Sequence, residues 1–182
     1  MNKILIFFLT MFICMAFEDA PKLDQTNDDL VSWSESRKLE WNDFPADYDA
    51  NSAKRAHSEI FIDILNVRLE NSIPKYDIGC QFVKSKSWIR ICEDNTLRKQ
   101  QLEFDIYELY ARKIRKSFDS LTVLNVSDAT KYQQVFESLN DASAVQNAAF
   151  NLEVNKNPKK LKGWTKRITE EIRQLESFAS TK

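Results

Sequence analysis

The strongest constraint on the fold is a long amphipathic helix predicted over residues 97–115, LRKQQLEFDIYELYARKIR. At about 100° per residue, one side of this helix should pack against a core. That side carries Ile106, Tyr107, Tyr110, Ala111, Ile114, Phe118 and Leu121. The other side should face water, with Arg98, Gln101, Asp105, Glu108, Arg112, Arg115, Lys116 and Asp119. Asn95 or Thr96 is the expected N-cap, because a side-chain oxygen there can accept a bond from a first-turn N–H.

Three polar residues interrupt the apolar side one or two turns before its hydrophobic run: Lys99, Gln100 and Glu103. Lys99 and Glu103 are four positions apart, so their side chains are neighbours on the helix surface. The same spacing places two imidazoles and a general-base carboxylate on one face in the zinc-binding sequence H-E-x-x-H. Here the corresponding residues read K-Q-Q-L-E.

The surrounding residues resemble a bacterial family of secreted, predicted zinc-dependent proteases, catalogued as a domain of unknown function. Its helix reads close to H-E-Q-x-H-F-D-I-x-E-x-Y-A-R-K-x-R. The matching residues are Gln101, Phe104, Asp105, Ile106, Glu108, Tyr110, Ala111, Arg112, Lys113 and Arg115. The resemblance covers residues 30–175 and implies one metalloprotease-like domain over residues 30–179.

Three other segments are similar to that family. Residues 33–44, WSESRKLEWNDF, resemble its W-x-x-x-R-x-L-x-W-x-D-F segment, and Ser87-Trp88 after Phe82 resembles its central S-W strand. Residues 150–157, FNLEVNKN, look like its Y-D-x-E-T-x-H-G element. That element would supply a third metal ligand at the position of Lys156.

The ligand positions themselves depart from the family pattern. Lys99 and Glu103 stand at the two histidine positions and Gln100 at the glutamate position, while the whole chain has one histidine, His57. An ammonium is a poor metal ligand, and an amide cannot take a proton from metal-bound water as a carboxylate does. We therefore expect no metal and no other cofactor at Lys99, Gln100, Glu103 and Lys156.

Two interpretations of Lys99 and Glu103 remain open from the sequence. They pair with each other, with Lys156 joining them, and so replace the metal; or they are solvated in a first turn that projects beyond the core. A solvated pair would contribute only about 0.3–0.5 kcal/mol.

The N-terminus predicts export. Residues 4–17 carry no charge, follow Lys3 and precede Glu18 and Asp19, which is typical of a signal peptide and too short to span a bilayer. We expect cleavage after Ala16, a flexible segment over residues 17–29, and a secreted or periplasmic protein that meets the membrane only through its signal peptide. Lipidation of Cys14 and an uncleaved anchor are the alternatives.

Cys80 and Cys92 would then remain in an oxidising compartment. The residues between them, QFVKSKSWIRI, predict a hairpin around Lys86 that places the two cysteines opposite each other in a disulfide. Such a bond would add roughly 2–3 kcal/mol. The alternative is a reactive thiol pair or a metal site with His57, for which no close-spaced motif is present.

Strand patterns near Leu30 to Trp33 and from Ser58 to Leu69 precede helical patterns, which predicts an α+β fold with a small antiparallel sheet. The second helix, over residues 128–150, has the predicted inner residues Tyr132, Val135, Phe136, Leu139 and Val145. The last helix has Leu161, Trp164, Ile168, Ile172, Leu175 and Phe178.

With a formal net charge of −1 and 29% charged residues, the chain lacks the basic excess of nucleic-acid-binding proteins. The sequence thus predicts a secreted, catalytically inactive member of the zinc-protease-like family that binds an unknown protein or peptide. The alternative is an active hydrolase with a non-standard site.

Overall fold

Three strands and three long helices form the part of the chain that the computed structural model describes, residues 28–180. The strands are β1 (Leu30–Ser32), β2 (Ala56–Glu70) and β3 (Ile73–Ile89), and the helices are α1 (Asp94–Val123), α2 (Ala129–Lys156) and α3 (Lys160–Gln174). Short 3-10 helices span Trp41–Asp43 and Glu176–Phe178. Strands come first and helices follow, so the predicted α+β class is confirmed.

The sheet is antiparallel in the order β1-β3-β2, and β2 and β3 form one long hairpin. Its two-residue turn is Asn71-Ser72, with φ angles of 51° and 65°. Positive φ at both turn residues suits the right-handed twist of the strands on either side. The two predicted strand regions are confirmed, and β2 lies at an edge of the sheet.

The predicted hairpin around Lys86 and the predicted Cys80–Cys92 disulfide are wrong. β3 continues past Lys86 to Ile89: residues 84–87 bulge between the pairs Val83–Glu59 and Trp88–His57, and the chain does not turn back on itself. Cys80 pairs with Ile62 and Ile89 pairs with Ala56, so six positions of β2, roughly 20 Å at about 3.3 Å per residue, separate Cys80 from Ile89, whereas a disulfide needs Cα atoms about 4.4–6.8 Å apart. Cys80 instead pairs with Ile62 on β2 and is buried, and Cys92 is an exposed free thiol.

α1 is the central helix of the fold and contacts β2, β3, α2 and α3. It begins at Asp94 with Glu93 as its N-cap, before both predicted cap residues. Its predicted apolar side is buried, with Ile106 and Ile114 fully enclosed. The prediction that the other side faces water is wrong at the centre of α1. Glu108 and Arg112 are buried there because α3 and the 3-10 helix after it cover them.

α2 and α3 pack their apolar stripes on α1. Phe150 is fully enclosed, although it was not among the predicted inner residues. Tyr132 and Ile168 are also enclosed, and Val135, Phe136, Leu139 and Ile172 are partly buried against the core, which confirms most of both predicted stripes. Val145 is the exception, because it is 70% exposed. It follows Tyr132 by thirteen positions, which at about 100° each turns it roughly 140° away from the buried face.

The predicted signal peptide, with its cleavage after Ala16, lies outside the described residues. The predicted flexible segment, 17–29, is described only at its end, where Asp29 accepts hydrogen bonds from the N–H and hydroxyl of Ser85. Within residues 28–180, no helix combines the length and the apolar composition that a membrane-spanning segment needs.

Candidate functional site

The three polar residues singled out on α1 are covered by the fold rather than solvated. Gln100 is 2% exposed and Glu103 is 8% exposed, and the Lys99 side chain retains 21% exposure. β2 covers them on one side through Ser58, and the C-terminal half of α2 covers them on the other. The site is therefore built by the packing of α1 between a strand and a helix.

Gln100 has both polar atoms of its amide engaged inside the fold. The Ser58 hydroxyl donates to Oε1 of Gln100 at 2.7 Å, and Nε2 of Gln100 donates to Oε1 of Glu103 at 3.1 Å. Of residues 28–180, none has a buried side-chain nitrogen or oxygen that lacks a hydrogen-bond partner. The amide at this position is thus a structural link from β2 to Glu103.

Lys99 pairs with Glu103, at 3.9 Å between Nζ and Oε1, and donates to Oδ1 of Asn155 at 3.0 Å. Lys156, the predicted third member of the cluster, is exposed at the last position of α2. The structure therefore brings Asn155 to Lys99, in the place where the resemblance put Lys156. Asn155 and Lys156 are consecutive in α2, so their side chains point about 100° apart and only one of them can face Lys99.

These contacts belong to a longer polar stripe between α1 and α2. Its members are Lys99, Glu103 and Tyr107 on α1 and Asn155, Asn151 and Asn147 on α2. The two helices run in opposite directions, so every fourth residue of α1 from Lys99 onward lies beside every fourth residue of α2 counted back from Asn155. At the next step both helices carry small, fully buried residues, Ala111 and Ser143. The sequence indicates this stripe only through asparagines four positions apart on α2, Asn147, Asn151 and Asn155.

Burial acts on the two charged members of the polar stripe in opposite directions. Burial raises the pKa of Glu103, although the charge of Lys99 and hydrogen bonds from Asn151, Asn147 and Gln100 partly offset it. Burial lowers the pKa of Lys99, which the Glu103 carboxylate partly offsets. Removal from water disfavours both charged forms. Glu103 thus takes up a proton more readily than an exposed glutamate.

The residues at these positions do not fit a zinc ion. Lys99 contributes an ammonium that donates to its neighbours, Gln100 contributes an amide already engaged on both atoms, and Glu103 is the one carboxylate. His57 lies on β2 and contacts Glu59 at 3.5 Å. Within the described part of the chain, no group of three or more His, Cys, Asp or Glu side chains is placed to hold a metal.

A second buried polar cluster was missed in the sequence. Glu108 lies between Arg112 and Arg115, each with a guanidinium nitrogen 3.0 Å from its Oε1. The spacing of four and seven residues puts the three side chains on one side of α1. That spacing is visible in the sequence, but it is equally typical of an exposed helix face.

The segment over residues 33–44 anchors the N-terminal part of the domain to α1. Trp33 donates from its indole N–H to Asp105 at 2.8 Å, and the Leu39 N–H donates to Oε1 of Gln101 at 2.8 Å. Gln101 in turn donates to Asp105 at 2.8 Å. These bonds hold residues 33–44 against α1.

No family model, no curated protein and no solved structure matches this chain.

Proposed function

We propose that this protein is a secreted, non-catalytic relative of the zinc-dependent protease-like family that acts in the cell envelope by binding a protein or a peptide. The observation that carries the proposal is Gln100. It occupies the general-base position of the resemblance, is 2% exposed, and has both amide atoms bonded within the fold. A group held in this way is not available to activate water.

The polar stripe supports the same proposal. Lys99, Glu103 and Asn155 satisfy one another across the contact between α1 and α2, so side chains of the chain itself fill the region where a substrate would reach a metal. We infer that a partner binds elsewhere on the surface, because α2 covers this region.

One observation favours the alternative, a hydrolase with a non-standard site. Burial raises the pKa of Glu103 and lowers the pKa of Lys99, and perturbed acid–base pairs are typical of active sites. Against it, Glu103 is only 8% exposed and is covered by α2. A substrate would have to displace that helix to reach the carboxyl group.

Metal content and proteolysis together test the proposal. Purified protein is analysed for zinc before and after incubation with excess zinc and dialysis, and is incubated with fluorescently labelled casein. We expect no stoichiometric zinc and no cleavage. About one zinc per chain, or cleavage that is lost in Glu103→Gln and kept in the exposed control Glu137→Gln, would overturn the non-catalytic proposal.

The binding role is tested in the cells that produce the protein. Chemical cross-linking of the intact chain, followed by mass spectrometry, is expected to recover a specific protein or peptide. Recovery of cross-links only within the chain itself, or between its copies, would contradict this part of the proposal.

A further inference from the structure

The outer face of α2 carries an exposed stripe that no element of the described fold covers. Its apolar members include Val145, 70% exposed, and Leu152, 73% exposed, with two exposed alanines between them. An exposed charge lies one turn beyond each end, Asp141 before Val145 and Lys156 after Leu152. We call this the outer stripe: Asp141, Val145, Ala148, Ala149, Leu152 and Lys156.

The spacing of the outer stripe matches that of a helix that packs on another helix. Asp141, Val145, Ala148 and Leu152 follow one another at intervals of four, three and four residues. Residues at these intervals form a narrow line along one side of a helix, as at the contact positions of coiled coils. The line extends about 22 Å from Asp141 to Lys156 at 1.5 Å per residue.

We propose that the outer stripe is an interface between two copies of this chain, with their α2 helices antiparallel across a two-fold axis between Ala148 and Ala149. In this register Val145 faces Leu152 of the partner subunit. Asp141 faces Lys156 of the partner subunit, and the two-fold axis repeats both contacts. The inference does not depend on the function proposed above.

Charge complementarity selects a second copy as the occupant and fixes its direction. Antiparallel packing brings Asp141 and Lys156 together twice, whereas parallel packing would place each charge against its own kind. Neither side chain forms an ion pair with another residue between 28 and 180, so both are available. The alanines at the centre allow the two helices to approach closely, at the lower end of the usual 8–10 Å between axes.

The interface is small, since each copy contributes four apolar residues and two charges. Interfaces at the low end of the size range belong to weak or transient complexes. We therefore expect a dissociation constant on the order of tens of micromolar.

Sedimentation equilibrium of the purified protein from about 5 to 500 μM tests the dimer. We expect a reversible monomer–dimer equilibrium that Val145→Glu and Leu152→Glu each weaken at least about tenfold. Val123→Glu is the matched control, because Val123 is 71% exposed at the end of α1 and lies outside the outer stripe. A monomer at every concentration, or equal weakening by the control, would overturn the proposal.

A charge swap tests the register. Asp141→Lys and Lys156→Asp should each weaken self-association, because each places like charges together twice. Mixing the two variants in equal amounts should restore dimers, since every contact then joins a lysine to an aspartate. Failure of the mixture to associate, or full dimer affinity in either variant alone, would rule out the antiparallel arrangement.

Discussion

Glu108 and Arg112 form an ion pair at the centre of α1, with 3.0 Å between Oε1 and Nε, where their side chains are only 1% and 4% exposed. Arg112 also donates to the Ile172 carbonyl at 3.0 Å, and Arg115 bonds Glu108 and donates to the Phe178 carbonyl at 2.7 Å. One carboxylate therefore orients two guanidinium groups that hold the C-terminal end of the chain against the central helix.

Removing the Glu108 carboxylate should be among the most destabilising single changes in this protein. Glu108→Ala leaves two largely buried guanidinium groups without their counter-ion, which typically costs about 3–5 kcal/mol. Urea unfolding followed by circular dichroism measures the loss. Glu170→Ala, which removes an exposed partner of Arg173, is the control and should change the urea midpoint little. Equal effects of the two substitutions would contradict the role given to Glu108.

The buried Glu103 predicts a specific pH dependence of stability. Burial raises the pKa of Glu103 above its ordinary value of 4.5, so the folded chain binds this proton more tightly than the unfolded chain does. The resulting stabilisation is fully present below pH 4.5 and is lost as the pH rises through the folded pKa.

Glu103→Gln removes this titration while it keeps the size of the side chain. The free energy of unfolding of the variant minus that of the wild type should therefore grow as the pH rises from 4.5 towards neutrality. Urea midpoints across that range measure it, with Glu137→Gln, which changes an exposed carboxylate of α2, as control. A difference that stays constant with pH would refute the assignment.

The two thiols of the described fold should react at very different rates. Burial raises the pKa of Cys80 well above its usual value, with the negative charge of Glu108 adding to the effect, and the thiol is enclosed by the sheet and α1. Cys92 is exposed. Brief iodoacetamide treatment of native protein should modify Cys92 and leave Cys80 unmodified until urea is added, as peptide mass mapping can show. Resistance of both cysteines until a reductant is added would instead indicate a disulfide.

Gly163 offers a stabilising substitution. It lies inside α3, and a methyl group added there meets no other atom within 4 Å. Gly163→Ala should raise the free energy of unfolding by about 0.5–1 kcal/mol, because alanine loses less backbone entropy in a helix. Gly79 is the contrasting position, since its added methyl would lie 2.7 Å from Leu65 Cδ1. Thermal unfolding should show a larger gain for Gly163→Ala than for Gly79→Ala, where the Leu65 side chain must move, and a destabilised Gly163→Ala would contradict the prediction.

Local periodicity was sufficient to predict the elements that pack by a single apolar face. The alternation in β2 and the three- and four-residue spacing in α1 and α3 reflect which residues must leave water, and that preference acts within a short stretch of chain. The order of these elements then predicted the α+β class. Lys99, Gln100 and Glu103 could be singled out for the same reason, as polar residues on a face that should be buried.

Contacts distant in sequence decided the remaining features. Glu108 is buried only because α3, more than sixty residues later in the sequence, packs over it. The hydrogen bond from Arg112 to the Ile172 carbonyl shows this contact. The KSKS stretch around Lys86 bulges and β3 then continues, whereas the chain turns back at Asn71-Ser72, where Asn71 adopts the positive φ of a tight turn. Periodicity gives the direction of a side chain on its own helix. Which residues lie opposite that side chain depends on the path of the whole chain. That path determined which residues bond Gln100, and it placed no element of the described fold over Val145.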